Sequence, residues 1–243
     1  CARPRRIDAG LVPCNLRAEN ALSDMDQKPK EPGESTMQVL LRTACERLVA
    51  AEPSRCDPES LARETGIDPE VARGLLPSAE TVVRTVAESA LRRQMDFLTR
   101  RISSVPGDDP TEQLLALGKA AVEWAVENRD DFHVLNLPLV GQVVDGEELA
   151  RYHRSLQELT ASMLDRAREQ GRLRPDMDPL TMLVVVRAFT YGLSRLYVDR
   201  QLRVWLPDEQ DLDKAAALTA ALDAFAGMLF VGKGGDQPIR SEA

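Results

Sequence analysis

The sequence predicts an all-α protein of about nine helices. Residues that favour helices, chiefly alanine, leucine, arginine and glutamate, dominate a composition that is 43% hydrophobic and only 4% aromatic. The dipeptide Asp-Pro, which suits an N-cap followed by the first helical residue, recurs ahead of apolar segments. Alternating runs of β-branched residues are few, so no strand is predicted.

The first helix is predicted to begin at Met37 and to end before Pro53. Its apolar residues fall on one stripe: Val39, Leu40, Ala44, Leu48 and Val49. Residues 1–36 are rich in proline, glycine and charge, lack a sustained period, and are predicted to form a disordered tail. Because the chain begins with Cys1, it is interpreted either as a fragment or as a chain with upstream sequence ahead of a start at Met25 or Met37.

Two short helices joined by a tight turn follow. Asp57 is a suitable N-cap, and Gly66 is a suitable residue to end the helix that it starts. Asp68 repeats the starting signal for a second helix over 69–76, which stops before Pro77. A helix, a turn and a short helix, with a preceding helix to pack against, are thus encoded within about fifty residues.

The same signals place the remaining helices. Ser78 caps a long helix, and Asp109 caps another that contains Trp124. An apolar segment after them, residues 131–140, is interrupted by Pro138. The predicted helices cover residues 79–103, 110–128, 145–171, 176–200 and 209–231, with a second disordered tail over 232–243.

The last two helices have unusual surfaces. The helix over 176–200 is apolar around much of its circumference, so we expect it to be buried on more than one side, either centrally or at a subunit interface. The helix over 209–231 carries a face of small residues that permits close helix–helix approach.

Several classes of function lack support in the sequence. No apolar stretch approaches a membrane span, and no secretory signal follows the first arginines, so a cytoplasmic protein with reduced cysteines is predicted. The four cysteines and two histidines lack metal-ligand spacing. His133 and His153 have no nucleophile or carboxylate constellation around them, and "GKGG" (232–235) lacks the context of a phosphate loop. We predict no metal, no cofactor and no catalytic residues.

A family resemblance rests on the segment "TGIDPEVARGLLPSAE" (65–80). Its Gly-hydrophobic turn, its hydrophobic residue before proline, its Pro-Ser pair and its final Glu fall in register, without a gap, with Ala-Gly-Val-Ser-Lys-Gly-Thr-Leu-Tyr-x-x-Phe-Pro-Ser-Lys-Glu. That pattern is typical of the TetR family of bacterial transcriptional regulators, which the chain resembles over residues 37–231. "RAFTYGLSRLYVD" (187–199) is similar to the penultimate helix of that family.

The resemblance implies a fold and a function. It implies a three-helix helix-turn-helix head over 37–84 and a helical ligand-binding and dimerisation domain over 85–231. It further implies a regulator, normally a repressor, that binds double-stranded operator DNA as a homodimer and is released by a small apolar effector. Because of their apolar and small-residue faces, helices 178–200 and 209–231 are predicted to form the dimer interface.

The DNA-facing positions depart from the family pattern. The candidates for DNA contact are Arg63, Asp68, Pro69, Glu70, Val71, Arg73, Gly74 and Ser78. The family's Lys, Thr and Tyr fall on Pro69, Val71 and Arg73, while Asp68 and Glu70 bring negative charge toward phosphate. Residues 37–98 hold eight Arg against ten Asp and Glu, a net charge of −2, which disfavours duplex binding. The alternative is a protein of this fold that has lost DNA binding and acts as a lipid- or isoprenoid-binding accessory protein or partner subunit.

Ligand contact is predicted for aromatic, Met and His residues of the larger domain, because small-molecule sites are mostly apolar with a few polar groups. These candidates are Trp124, Phe132, His133, Tyr152, Met163, Phe189 and Tyr191. Such residues are equally typical of an ordinary core, and both interpretations stand. Trp124, Phe132 and Tyr191 are the strongest candidates, because the resemblance places them on the helices that enclose the ligand in TetR-family proteins.

Overall fold

The computed structural model describes residues 34–143, 147–205 and 214–231, and within these residues the protein is helical. Eleven α-helices and one 3₁₀ turn, Pro53–Arg55, are present there, with no strand beyond an isolated bridge between Leu173 and Phe230. The predicted all-α class is therefore confirmed. The predicted tails, apart from residues 34–36 of the first, lie outside the described residues.

The helices follow the predicted order with small shifts at their ends. The head contains α1 (Thr36–Val49), α2 (Pro58–Thr65) and α3 (Pro69–Leu75), and α4 (Ala79–Ser103) leads out of it. The rest are α5 (Pro110–Glu127), α6 (Arg129–Leu135), α7 (Pro138–Val143), α8 (Glu147–Glu169), α9 (Pro179–Val198), α10 (Leu202–Trp205) and α11 (Lys214–Leu229).

Side-chain caps start the helices of the head, as the Asp-Pro pattern predicts. The Asp57 carboxylate accepts a hydrogen bond of 2.9 Å from the Ser60 amide, and Asp68 Oδ1 accepts bonds of 2.8 and 3.3 Å from two amides of α3. Gly66 adopts a left-handed backbone with φ of 71°, which lets α2 end and α3 start within three residues.

The head has a leucine-rich core to which the larger domain contributes. The predicted stripe of α1 is confirmed in its centre, where Leu40, Ala44 and Leu48 are buried and pack against Leu61 of α2. The same core contains residues of α4, α6 and α7, namely Val82, Val83, Val86, Ala87, Val134 and Val140. Helix α4 therefore passes through both predicted domains, and the boundary at residues 84 and 85 stays a prediction.

The apolar segment over 131–140, which Pro138 interrupts, belongs to two short helices. Helix α6 ends at Leu135, and Pro138 opens α7, where its missing N–H removes no helical hydrogen bond. The structure has more helices than the predicted nine because it includes short elements such as α7 and α10. They fall below the length at which periodicity identifies a helix.

Helix α5 is the centre of the larger domain. It packs against α4, α8, α9 and α11 and carries the fully buried Trp124. The predicted all-round apolar helix, α9, packs with one side against α5 and α8. Its other side stays exposed in the single chain, with Leu180 at 70% and Val184 at 65% exposure.

The two described cysteines are structural. Burial raises the pKa of Cys45 to about 12 and that of Cys56 to about 11, so both thiols are protonated at neutral pH. Both are free in the structure, and the reduced state expected from the sequence stays a prediction.

Candidate ligand cavity and helix-turn-helix surface

A cavity of about 600 Å³ lies between α4, α5, α8 and α9. Its walls are mainly apolar, with Leu91 and Leu98 from α4, Leu117 from α5, Leu156 from α8 and Leu183 from α9. Val184 and Ala188 line the cavity and are also exposed, so it opens to solvent along this side of α9. The size and apolar lining are those of a site for a drug-sized molecule.

The polar groups of the cavity include one charged side chain. Among the described residues that line it, none is Asp or Glu, and Arg187 is the only Arg or Lys. The other polar residues of the lining are Gln94, Asn136, Tyr152, His153, Gln157, Thr160, Thr190 and Tyr191. An apolar pocket with a few convergent hydrogen-bonding groups is what orients a bound small molecule.

Arg187 and His153 line the cavity near its opening, and both residues are exposed. The Arg187 guanidinium carbon lies 5.7 Å from the centre of the Tyr191 ring, a cation–π arrangement. Although both residues are exposed, the surrounding helices desolvate their charged groups in part. This desolvation lowers the pKa of Arg187, opposed in part by the Tyr191 phenol. Desolvation, and then the Arg187 charge, lower the pKa of His153, which favours the neutral imidazole with one N–H to donate.

The structure brings two of the predicted ligand residues to the cavity wall, Tyr152 and Tyr191. Trp124 and Phe132 lie in the adjoining core, 1% and 5% exposed. The Phe132 ring is 6.1 Å from the Tyr191 ring, so Phe132 supports the wall from behind.

The other three predicted ligand residues are also not among those that line the cavity. Met163 is buried between α5, α8 and α9, and Phe189 stacks on Phe225 with ring centres 3.9 Å apart. His133 is half-buried on α6. Ligand contact by these residues stays a prediction, but Met163 and Phe189 have packing partners outside the cavity.

Sequence reasoning missed Arg187, although one signal could have identified it. Arg187 interrupts "MLVVVRAF" (182–189), the most apolar run of the chain. A charge within such a run requires either a partner or a polar surface, and here it faces a cavity. Asn136 and Gln94 were missed because an isolated amide in a helix carries no such signal.

On the helix-turn-helix surface, most arginines form salt bridges with glutamates. Arg73, the only cation on α3, contacts Glu59 and Glu70 at 3.0 Å each. Within the described head, the other Arg–Glu pairs are Arg42–Glu34, Arg42–Glu46, Arg47–Glu52, Arg47–Glu64, Arg55–Glu52, Arg55–Glu64 and Arg84–Glu80. Arg63 is exposed. The excess of acidic residues over arginines in the head therefore leaves most of these arginines paired with a glutamate.

Several predicted DNA-contact residues have local structural roles. Asp68 caps α3, Pro69 is its first residue, and Ser78 Oγ caps α4 by accepting a 3.1 Å bond from the Thr81 amide. Val71 is 48% exposed on α3, and space is open around Gly74, so this face of α3 is free to approach a partner. Contact with DNA stays a prediction for all eight candidates.

Helix α6 connects the cavity to the head. Asn136, directly after α6, lines the cavity, and Val134 lies in the core of the head. Asp131 accepts two hydrogen bonds, of 2.8 and 2.7 Å, from the Arg93 guanidinium on α4. This bidentate pair attaches α6 to the helix that leaves the head.

Two further features are absent from the described residues. No group of three or more His, Cys, Asp or Glu side chains is placed there to hold a metal ion. None of the helices in that part of the chain has both the length and the apolar character required to cross a membrane.

Comparison with known proteins shows the fold. No protein-family model and no curated protein sequence matches the chain. Its structure is similar to that of the ketosteroid transcriptional regulator KstR2 of Mycobacterium tuberculosis, with a TM-score of 0.64 and 16% identity over 83% of this chain and 98% of that one.

Two more solved structures agree. A bacterial regulatory protein in the TetR family from Rhodococcus RHA1 has a TM-score of 0.60 at 15% identity, over 80% of this chain and 97% of its own. AibR in complex with isovaleryl coenzyme A and operator DNA has a TM-score of 0.60 at 14% identity, over 81% and 98%. The TetR-type fold that the turn sequence predicts is therefore confirmed.

Proposed function

We propose that this chain, which has the fold of TetR-type transcription regulators, is a DNA-binding regulator controlled by a small molecule in the cavity of α4, α5, α8 and α9. The observation that carries the proposal is the position of α6. This one helix places Val134 in the core of the head and is followed directly by Asn136 on the cavity wall. A ligand that moves the wall therefore moves a helix on which the head is built.

The proposed mechanism is a shift between two arrangements of the heads. A ligand that contacts Asn136 and Tyr191 acts on α6 directly and through Phe132. The Arg93–Asp131 pair then transmits a displacement of α6 to α4. The ligand changes DNA affinity only by its differential affinity for the two arrangements, typically about 1–3 kcal/mol of coupling. In a repressor it binds the DNA-incompetent arrangement more tightly.

The proposal includes a homodimer formed by α9 and α11. Leu180 and Val184 expose apolar surface on α9, and Met228 of α11 is 58% exposed beside small residues. A symmetric pairing of two helices from each subunit forms a four-helix interface and buries these faces.

We therefore expect light scattering at micromolar concentration to give about twice the chain mass of 26.9 kDa. Leu180→Glu introduces a charge into the interface without touching the cavity wall and should shift the mass toward that of the monomer. Ser155→Glu, on the exposed side of α8, adds the same charge elsewhere and should leave the dimer intact. A wild-type monomer at every concentration contradicts the dimer and the symmetric operator together.

Selection of bound duplexes from a random library tests the DNA-binding function. We expect the purified protein to enrich an inverted repeat, because a two-fold dimer presents two equivalent helices α3 to successive major grooves, about 34 Å apart. Retention of no duplex at ~50 mM salt, where electrostatic binding is strong, contradicts the proposal.

A second candidate function is favoured by the pairing of Arg73 with Glu59 and Glu70. A head whose only α3 cation is neutralised fits a protein that has lost DNA binding. Such a protein would use the same cavity for a lipid or isoprenoid, as an accessory protein or as the partner of another regulator. A folded dimer that retains no duplex supports this candidate.

A further inference from the structure

The charge of the cavity is opposite to that of the chain. The protein has 39 Asp and Glu against 31 Lys and Arg, a formal net charge of −8. Yet among its described lining residues the cavity contains Arg187 and no carboxylate. In a chain so rich in acids, the lining therefore favours an anion over a cation or a neutral molecule.

Arg187 has no protein counter-ion in the described part of the chain. Two arginines that are less exposed than Arg187 are paired: Arg93 with Asp131, and Arg172 with Asp109. Arg187, by contrast, contacts the face of the Tyr191 ring, and no carboxylate contributes to its pKa. The ring orients the guanidinium without using its N–H groups, so its planar fork of donors stays available to an oxyanion.

Away from its opening, the cavity is lined by apolar residues that are buried or partly buried. Leu91, Leu98 and Leu117 line it from α4 and α5, and Leu156 lines it from α8. The total volume, about 600 Å³, exceeds what a headgroup alone requires. The ligand that fills it must therefore carry apolar bulk next to its charge.

We infer that the cavity binds an amphipathic anion, with an oxyanion headgroup against Arg187 and an apolar chain along the leucines of α4, α5 and α8. His153 and Tyr152 of α8 also line the cavity, and their side chains provide further donors for the headgroup. This inference rests on the proposed function in treating the cavity as the effector site. It adds a charged headgroup to the small apolar effector expected from the sequence.

Calorimetric titration with four eight-carbon probes, and with acetate as a short control, tests the inference. Octanoate and octyl phosphate carry oxyanions, 1-octanol is neutral, octylamine is cationic, and acetate has the headgroup without the chain. We expect octanoate or octyl phosphate to bind at least about tenfold more tightly than 1-octanol, because a charge-assisted bidentate bond is lost with the alcohol. The tighter of the two anions identifies the headgroup, and octylamine and acetate should bind most weakly.

Variants of Arg187 separate the headgroup contact from the cavity. Arg187→Gln should abolish the preference for octanoate over 1-octanol while leaving 1-octanol binding unchanged, and Arg187→Lys should retain part of it. Arg154→Gln removes the same charge from an exposed position on α8 and should behave as wild type. Since Arg187 has no counter-ion among the described residues, ligand-free Arg187→Gln should melt at or above the wild-type temperature, a result that would show an intact fold.

The outcomes distinguish this inference from the regulator itself. Equal affinity for octanoate and 1-octanol, an unchanged preference in Arg187→Gln, or no binding of any probe overturns the inference. Duplex retention, measured on the same sample, can still support a DNA-binding regulator in each case. Conversely, octanoate binding that depends on Arg187 in a protein that retains no duplex upholds the inference and overturns the regulator.

Discussion

Trp124→Ala should lower the free energy of unfolding by about 3–5 kcal/mol, as expected when a large buried aromatic side chain is truncated. Trp124 is 1% exposed on the central helix α5 and packs in one cluster with Ala125 and Phe132. Removing the indole leaves a cavity that the surrounding helices can close only in part, so lost packing adds to lost burial. Urea unfolding followed by circular dichroism measures the change, with the slope compared between variants.

The matched control is the other tryptophan of the chain. Trp205 is 76% exposed at the end of α10, so Trp205→Phe should change stability by no more than about 0.5 kcal/mol. A loss below about 1 kcal/mol for Trp124→Ala would mean that the packing around α5 is loose. The cavity wall supported by Phe132 and Tyr191 would then be less defined than the structure shows.

Glu59→Gln combined with Glu70→Gln should strengthen non-specific duplex binding and make it more sensitive to salt. Both carboxylates contact Arg73 and are exposed, so neutralising them frees the one cation of α3 and removes two negative charges from the proposed DNA-binding surface. Each Arg73 that gains a phosphate releases about 0.9 counter-ion, so the slope of log K against log salt should steepen by about two units in a dimer. Fluorescence anisotropy of a labelled random duplex at several salt concentrations measures this slope.

Glu158→Gln combined with Glu169→Gln is the matched control, since it removes the same charge from exposed positions on α8. It should leave the slope unchanged, and equal gains in both double variants would assign the effect to net charge and not to Arg73. Exposed ion pairs stabilise proteins by at most about 1 kcal/mol, so both variants should stay folded. If wild type binds no duplex and only the Glu59 and Glu70 variant binds, those carboxylates silence the head, and the second candidate function replaces the first.

The helix-turn-helix head could be predicted almost entirely from the sequence. Its starts, ends and turn depend on contacts between residues two to four apart, such as Asp57 with Ser60 and Asp68 with Val71. Gly66 contributes the left-handed backbone that the turn requires. Because these interactions join residues close together in sequence, a short motif specifies them. The family pattern and the capping pattern therefore predict the same helix boundaries.

The residues that line the cavity could be predicted only in part. An aromatic side chain on an inward helical face looks the same in sequence whether it fills a core or lines a cavity. Tyr191 lines the cavity while Phe189, two residues away, stacks on Phe225. A rotation of about 200° along α9 separates the two positions, and the neighbours on each side decide their roles.

By itself, the sequence determined the all-α class, the capped head with its acidic surface, and the apolar character of α9, because these follow from local hydrogen bonding, charge and periodicity. Only the tertiary structure decided where four helices leave about 600 Å³ between them. It also decided that Arg187 faces this space without a carboxylate partner in the described residues, and that α6 joins the cavity wall to the head. The physical reason is that a cavity or an unpaired charge depends on how helices far apart in sequence pack against one another. Local sequence patterns do not specify that packing.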